Sequence, residues 1–325
     1  MSDYLDLPMS GGVLQRYEKE RAAPGFLAER LKPSHKPRVV IVKGNNAAFV
    51  PRAQRRADEC WWHHPLGDAT LTVKDTRELY FVGEVPLSNE NIFVTTANNV
   101  SGPLLAKLVW GVAKDNDVLE MSRADQAAFG LALALVRWNS SNKFCSRCGA
   151  PTDPSRDVGF SRCCTKCKRQ HFPQIMPAVL MAVFDGRGNV ILSQRRKKSK
   201  MLTLLSGFML LGETAEETVR REVEEETGAK VSAVRYIGSQ PFPYPYLVML
   251  CYYAVAGESS NLVVEAEELQ KVLWVSKEDV RKALAEGHPD FTLHGPGTTP
   301  YAILKPWVDG EVDDFGRVVK RSSKL

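Results

Sequence analysis

The segment 207–229, GFMLLGETAEETVRREVEEETGA, constrains the fold of this chain more than any other part of it. Thr214 and Glu217 stand at the spacing of a capping box, in which two residues hydrogen-bond each other's backbone at the start of a helix. Gly228 is a typical residue just beyond a helix end, because it adopts the left-handed backbone conformation without strain. The segment therefore predicts a helix over 215–227.

The predicted helix combines an apolar stripe with an acidic face. Apolar residues recur at every fourth position: Ala215, Val219 and Val223. This pattern predicts a side that packs on a core. Glu222, Glu225 and Glu226 lie three and four positions apart, so their charges share one face and repel one another. A solvated acidic face is one interpretation, and a divalent cation held by the carboxylates is the other, since Mg²⁺ prefers oxygen ligands.

Five of the seven cysteines lie in one short stretch. Two C-x-x-C pairs, Cys145/Cys148 and Cys164/Cys167, are separated by fifteen residues, which is a spacing typical of four thiolates around one tetrahedral Zn²⁺. Cys163 does not fit the pairing and is left out of the site. The site would be closed and structural, with the metal supplying folding energy. Free or redox-active thiols are the alternative, and basic neighbours leave open a nucleic-acid-binding module.

Composition favours a protein of two or three domains and excludes several classes. The chain has 325 residues, of which 44% are hydrophobic and 25% charged, as in ordinary globular proteins. No apolar run predicts a membrane helix, and the first residues lack the pattern of a secretory signal. A net charge of +5 is too small for a dedicated nucleic-acid-binding protein and is compatible with an anionic small substrate.

The last three residues, Ser323, Lys324 and Leu325, have the form of the C-terminal address that the peroxisomal import receptor reads. The alternative is a chance tripeptide at the end of a tail. We therefore expect a peroxisomal protein, with the cytoplasm as the other candidate compartment.

Strand and helix signals predict three regions and an α+β fold. Residues 1–140 predict a β-rich domain, 141–174 form the cysteine cluster, and 175–325 mix strands and helices. In the first region we expect strands at 38–42, 71–73 and 79–85, and helices around 14–21 and 126–138, the latter starting near Ser122. In the last region we expect strands at 178–184, 190–194, 231–238, 246–255 and 272–275, and two late helices. One helix starts near Ser276, and the other starts at Thr299-Pro300 with Pro300 at the first helical position.

The pattern around the acidic helix resembles the Nudix box at every fixed position. Gly207, Glu213 and the run REVEEETG at 221–228 carry the resemblance. It implies a Nudix hydrolase with an α/β/α sandwich fold, which cleaves a nucleoside diphosphate linked to another group and uses two or more Mg²⁺ or Mn²⁺ ions. A catalytically idle Nudix domain that senses a nucleotide or binds RNA is the rival from another class.

The resemblance also implies roles for individual residues. Glu222, Glu225 and Glu226 would hold the metal and polarise a water, without indicating which of them is the general base. Arg221 would orient the loop by pairing with Glu213. Two further metal contacts match the family pattern, the backbone carbonyl of Ser206 and the side chain of Glu268. For Glu268 the alternative is a solvated acidic loop.

The stretch SQPFPYPYL at 239–247 is similar to the S-Q-P-W-P-F-P-x-S signature of NADH pyrophosphatases. The implied substrate-binding residues are Ser239, Gln240, Pro241, Phe242, Pro243 and Tyr244. Two aromatic exchanges keep the ring character, whereas Leu247 replaces a serine and removes a hydroxyl. The structural alternative is a stiff loop between two strands.

Two aromatic residues, Phe172 and Phe208, match positions that stack on adenine in this family, with core packing as the alternative for each. The basic run 195–200 is either a solvated loop or a positively charged segment that attracts the phosphates of the substrate.

The resemblance thus implies a homodimeric enzyme that hydrolyses NADH, and also NAD⁺ or NADPH, to nicotinamide mononucleotide and AMP. Removal of NAD caps from RNA by the same chemistry is the alternative. One structural Zn²⁺ and no membrane partner are expected.

Overall fold

The computed structural model describes residues 7, 9, 14–44, 46–54, 62–66, 71–86, 88–111, 121–195, 199–242, 246–256, 262–317 and 319. The chain forms two compact units. The N-terminal unit comprises Gly11–Ile175 and Phe242–Tyr246. The C-terminal unit comprises Met1–Ser10, Met176–Pro241 and Leu247–Leu325. Pro243, Tyr244 and the tripeptide 323–325 lie outside the described residues.

The N-terminal unit is built mainly of strands. Its strands are β1 Pro37–Lys43, β2 Asn46–Phe49, β3 His64–Pro65, β4 Thr72–Val73, β5 Tyr80–Val85, β6 Glu90–Thr96, β7 Val100–Ser101, β8 Val109–Gly111, β9 Thr152–Pro154, β10 Arg162–Cys164 and β11 Gln170–His171. Its α-helices are α1 Phe26–Arg30 and α2 Arg123–Ser141. The main sheet has the order β5-β6-β1-β2-β8 with β3 on β1, and β11-β10-β9 form a separate small sheet.

The main sheet of this unit is covered on both faces. Along β1, Val40 and Val42 face a core shared with α2, whereas Val39 and Ile41 face a second core on the opposite side. This alternation follows from the period of two along a strand. The sequence prediction of a β-rich region with strands near 38–42, 71–73 and 79–85 is confirmed in this unit.

Helix α2 begins and packs as the sequence predicts. The Ser122 hydroxyl accepts a hydrogen bond from the Asp125 backbone N–H, which is the expected N-cap. The helix predicted around 14–21 is wrong. The backbone of Gln15 instead exchanges hydrogen bonds of 3.0 Å with Glu84, and α1 begins only at Phe26. Tertiary pairing therefore overrides the local helical preference.

A buried arginine links the small sheet to α2. Arg162 is 1% exposed and lies in β10. Its guanidinium donates to the Thr152 carbonyl at 2.6 Å, the Thr152 hydroxyl at 2.9 Å and the Asn139 side-chain oxygen at 3.2 Å. Asn139 belongs to α2 and donates to the Gly159 carbonyl at 2.8 Å. The buried charge is thus supported by hydrogen bonds to neutral groups, as a buried cation requires.

The C-terminal unit is a sheet between helices. Its strands are β12 Met176–Phe184, β13 Asn189–Arg195, β14 Leu205–Phe208, β15 Val231–Phe242, β16 Leu247–Ala256 and β17 Leu269–Ser276. Its helices are α3 Ala215–Thr227, α4 Lys277–Ala285 and α5 Thr299–Val308. The sheet has the order β15-β16-β12-β13-β17, and β14 also pairs with β12.

Strand β12 explains why this sheet carries helices on both sides. Val179, Met181 and Val183 enter a core with Val219 and Val223 of α3. Leu180, Ala182 and Phe184 enter a second core, which includes residues of α4 and α5: Val280, Ile303, Leu304 and Trp307. A strand that is buried on both faces reads as a continuous apolar run. The predicted α/β/α sandwich is confirmed.

Two local predictions need correction in this unit. Thr298 caps α5 by accepting from the Tyr301 N–H, so Pro300 stands at the second helical position and not at the first. Residues 239–242 extend β15 and do not form a loop. Pro241 is tolerated there because β15 lies at the edge of the sheet, where a missing N–H costs no ladder bond. Among the described residues, no helix is both long and apolar enough to cross a membrane.

Candidate active site and zinc centre

Helix α3 is fixed at both ends by its own sequence. The Thr214 hydroxyl accepts from the Glu217 N–H at 3.2 Å, and the Glu217 carboxylate accepts from the Thr214 N–H at 2.7 Å. Gly228 ends the helix with a φ of 70°, in the left-handed region. The predicted bounds, 215–227, are confirmed. Because Val219 and Val223 are fully buried against the sheet, the direction of the acidic face is set by packing.

Strand β14 passes very close to the acidic face of α3. A Cβ atom added to Gly207 would lie 1.9 Å from the carboxyl carbon of Glu222. Any side chain at this position would therefore displace that carboxylate. Glycine at 207 is required by the close approach of backbone and carboxylate.

The guanidinium of Arg221 joins the loop before α3 to the acidic face. It donates to both oxygens of Glu213, at 2.6 Å and 3.0 Å. It also donates to Glu222 at 2.8 Å, to Glu225 at 2.9 Å and to the carbonyl of Phe208 at 2.9 Å. Arg221 thus holds two carboxylates of the acidic face and the end of β14 in one arrangement.

The charge of Glu213 is strongly stabilised in this network. Hydrogen bonds from Arg221, the Leu210 N–H and the Thr218 hydroxyl lower the pKa of Glu213 to about 2. The same contact with Glu213 raises the pKa of Arg221 above its usual value. Thr218 is a residue that the sequence analysis missed. Its signal was a small polar residue in the turn of α3 before Arg221, on the side that meets the loop.

Glu226 is the most unusual carboxylate of the site. It is 3% exposed, and its Oε2 atom has no hydrogen-bond partner among the described residues. Burial raises its pKa to about 8, and the charges of Glu222 and Glu268 act in the same direction. Arg195, which donates to the Ser206 hydroxyl at 2.7 Å, opposes this rise, as does a backbone hydrogen bond from Ser206.

These residues fit a hard divalent cation. A buried carboxylate oxygen without a partner is costly, and Mg²⁺ or Mn²⁺ would satisfy it. Glu222 has a pKa that burial raises, and the charges of Glu225 and Glu268 add to the rise. The structure therefore brings Glu222, Glu226 and Glu268 within electrostatic reach of one another, with Ser206 beside Glu226. Glu225 lies at the edge of the group and is 58% exposed.

The predicted substrate-binding residues differ in their surroundings. Phe208 follows Gly207 on β14, and its ring is 54% exposed. Ser239, Pro241 and Phe242 lie at the end of β15 with at least partly exposed side chains. Gln240 is the exception among these residues, because it is buried and accepts a hydrogen bond from the Thr299 hydroxyl. The amide oxygen of Gln240 is therefore engaged in a hydrogen bond within the C-terminal unit.

Phe172, the other predicted stacking residue, belongs to the N-terminal unit. Its side chain is 60% exposed, so the core-packing interpretation of this residue is wrong. Its role in binding stays a prediction.

The four paired cysteines form a metal-binding group in the N-terminal unit. The sulfurs of Cys145, Cys148, Cys164 and Cys167 all lie within 4.8 Å of one another. Two of their separations are 3.7 Å and 3.5 Å, close to the roughly 3.8 Å between thiolates in a tetrahedron with Zn–S bonds of about 2.3 Å. The four residues therefore fit one Zn²⁺. Cys163 does not join the group, and its sulfur lies near the Lys168 carbonyl, at 3.6 Å.

Two domain families match this chain. Residues 174–294 match the NUDIX domain, and residues 140–172 match the NADH pyrophosphatase zinc ribbon domain. The chain therefore contains a Nudix domain at 174–294. More particularly, this domain follows a zinc ribbon of the NADH pyrophosphatase type at 140–172.

Relatives with these features carry two kinds of name. The chain is 31% identical over 204 residues to "NAD(P)H pyrophosphatase NUDT13, mitochondrial" from Homo sapiens, across 59% of this chain and 57% of that protein. It is 37% identical over 183 residues to "NAD-capped RNA hydrolase NudC" from Mycobacterium bovis, across 54% of this chain and 58% of that protein. The matches thus span little more than half of each relative.

A solved structure also superposes on part of the chain. The crystal structure of a NUDIX hydrolase from Nitrosomonas europaea covers 51% of this chain and 90% of its own, with 21% identity and a TM-score of 0.39.

The ligand set of the zinc ribbon can be tested by metal content. We expect the wild-type protein to keep about one Zn²⁺ per chain during dialysis against a weak chelator, since four thiolates close the site. Cys148→Ser should lose zinc under the same conditions, because three thiolates hold the ion less tightly. Cys163→Ser is the matched control and should keep it. Zinc loss from the control, or full retention by Cys148→Ser, would contradict this ligand set.

The raised pKa of Glu226 predicts a pH-dependent stability. In protein that keeps its zinc but is free of Mg²⁺ and Mn²⁺, the unfolded chain ionises Glu226 near pH 4.5 and the folded chain only near pH 8. Folding stability should therefore fall as pH rises through that window. Glu226→Gln removes this penalty, so its melting temperature should exceed that of the wild type by more at pH 8.5 than at pH 5.5.

A divalent cation should have the opposite effect on the same two proteins. Millimolar Mg²⁺ should raise the melting temperature of the wild type at pH 8.5 and leave Glu226→Gln nearly unchanged. Glu224→Gln, an exposed position on the same helix, should behave as the wild type does. Parallel pH curves for wild type and Glu226→Gln would show that Glu226 does not carry the penalty.

Proposed function

We propose that this chain hydrolyses the pyrophosphate bond of NADH, and also of NAD⁺ and NADPH, to give nicotinamide mononucleotide and AMP. The observation that carries the proposal is the buried Glu226 carboxylate with its unpartnered oxygen, beside Glu222 on the acidic face of α3. The Nudix domain, the ribbon type and the human relative's name support it.

Five groups would hold the metal in this proposal: the carboxylates of Glu222, Glu225, Glu226 and Glu268, and the backbone carbonyl of Ser206. When bound, Mg²⁺ or Mn²⁺ would neutralise diphosphate charge and lower the pKa of a water. Arg221 fixes Glu222 and Glu225 in position through its guanidinium, and Glu213 holds Arg221 in turn. The ion pair of Glu213 and Arg221 thus orients the acidic face.

The substrate would meet an exposed aromatic ring and the end of an edge strand. Phe208 is open to solvent directly after Gly207, so its ring can stack on a base. Phe172 offers a second exposed ring. Ser239, Pro241 and Phe242 would bind the rest of the dinucleotide, together with Pro243 and Tyr244. Because the side chain of Gln240 is hydrogen-bonded to Thr299, we propose that Gln240 positions the end of strand β15.

Product analysis tests this proposal. The purified, zinc-loaded protein is incubated with NADH and either Mg²⁺ or Mn²⁺, and the products are separated by chromatography. We expect AMP and reduced nicotinamide mononucleotide, with kcat reduced by about a hundredfold or more in Glu225→Gln because a group that polarises water is lost. Glu224→Gln, one position away and exposed, should retain activity. Absence of products from folded protein with both metals would refute the dinucleotide substrate.

A second function is favoured by the relatives named NAD-capped RNA hydrolase. The bond cleaved and the metal-binding residues would be the same, and only the chain attached to the adenylate would differ. Comparing kcat/KM for NADH and for a short NAD-capped RNA in the same preparation separates the two. A higher value for the RNA would make cap removal the main activity.

Location and assembly complete the proposal. If Leu325 is the free C-terminus, Ser323-Lys324-Leu325 would be read by the peroxisomal import receptor, and deleting the three residues should leave the protein in the cytoplasm. The human relative's name places that protein in mitochondria. We also propose a homodimer, which should sediment at about twice the chain mass of 36.2 kDa. The proposed domains are 1–140, 141–174 and 175–325.

A further inference from the structure

A partly open pocket of about 610 Å³ lies in the N-terminal unit. It is bordered by the segment 21–31, which includes α1, by residues 76–79 and by the turn 154–158. Its volume lies in the range of pockets that bind small molecules. Neither the zinc ligands nor the acidic helix contributes to its lining.

The charged side chains that line the pocket are all arginines, although the charges of Glu18 and Asp157 act on Arg21 from outside the lining. Arg21, Arg77 and Arg156 border the pocket, and no acidic residue is among its lining. Arg77 is already paired with Asp75 at 2.8 Å. Arg21 and Arg156 form no ion pair within the part of the chain that the structure describes. The guanidinium of Arg156 is exposed and thus available to a negatively charged ligand, whereas Arg21 is only partly exposed.

Arg21 is held in a position that leaves its charge incompletely compensated. Its guanidinium carbon lies 3.6 Å from the ring centroid of Phe160, a cation–π contact. Its Nε and Nη1 atoms are buried without a hydrogen-bond partner among the described residues. The hydroxyl of Ser155, which also belongs to the lining, is likewise buried without a partner in the described part of the chain. Such groups are rare because each costs free energy when left unpaired.

The remaining wall of the cavity is apolar. Leu27 and Leu31 of the first helical segment lie opposite Leu79 and Val158. Leu79 and Val158 are buried in the core of the unit. An occupant therefore needs an apolar part in addition to a negative charge.

The backbone beside the cavity is strained. Val158 has a φ of 57°, a conformation that β-branched residues rarely adopt. It is retained because its carbonyl accepts a hydrogen bond from Phe81 at 3.1 Å, inside the core. Backbone strain of this kind clusters at ligand-binding sites.

We propose that this cavity binds a small amphipathic organic anion. Its apolar group packs against Leu27 and Leu31, and its terminal phosphate or carboxylate faces Arg156 and the partly exposed Arg21. Guanidinium groups bind both kinds of head group, so the two are separated by experiment. The inference does not depend on the proposed hydrolase activity, because it concerns other residues and a binding measurement.

Titration calorimetry on the full, zinc-loaded chain tests the proposal with octyl phosphate and octanoate as probes. Octyltrimethylammonium has the same apolar chain with the opposite charge, and inorganic phosphate has the charge without the chain. We expect at least one of the two octyl anions to bind, and to bind more tightly than either control. Arg21→Met and Arg156→Met should each weaken that binding about tenfold.

Arg169→Met is the matched control, because this exposed arginine does not border the cavity. It should bind the octyl anion as the wild type does. Arg156 is exposed, so Arg156→Met tests the proposal even if Arg21→Met fails to fold. NADH hydrolysis, measured on the same samples, should be unchanged in Arg156→Met. Equal binding of the octyl anions and the octyl cation, or wild-type binding by Arg156→Met, would overturn the proposal.

Discussion

The guanidinium of Arg221 is the contact on which the candidate active site depends. It satisfies Glu213, Glu222 and Glu225 at once and also binds the carbonyl of Phe208. Without it, like charges on one helix face would repel each other, and the loop before α3 would lose its attachment. With it, the helix can keep an acidic face whose deepest member, Glu226, has one carboxylate oxygen without a hydrogen-bond partner among the described residues. The carboxylates at the rim of the site are thus paired, whereas the buried one is only partly compensated.

Much of the fold could be predicted because its signals are local. The capping box at Thr214, the stop at Gly228 and the doubly buried strand β12 each depend on neighbours in sequence. Where long-range strand pairing determines the local structure, the predictions from sequence were wrong. Gln15 bonds to Glu84 and so is not helical, and the Ser239–Phe242 stretch continues an edge strand because β16 is there to pair with it.

The same distinction applies to the sites. The spacing of the cysteines predicted which thiols meet, and the pattern of the acidic segment predicted the helix that carries the glutamates. The support of Glu213 by Thr218 was not foreseen, because it needs the fold of the loop. The arginine-lined cavity has no sequence signature at all. Arg21 and Arg156 are far apart along the chain, and only the topology of the N-terminal unit brings both to one cavity.

Arg162 connects the small sheet of the zinc ribbon to the long helix α2. The residue precedes Cys163 and Cys164 in β10, and its charge is enclosed by Thr152 and by Asn139 of the long helix α2. Local opening of the ribbon would therefore expose polar groups that belong to the helix as well. Metal occupancy and unfolding of the N-terminal unit should be one cooperative event. An amide of α2 would then report, by its hydrogen-exchange rate, whether zinc is bound.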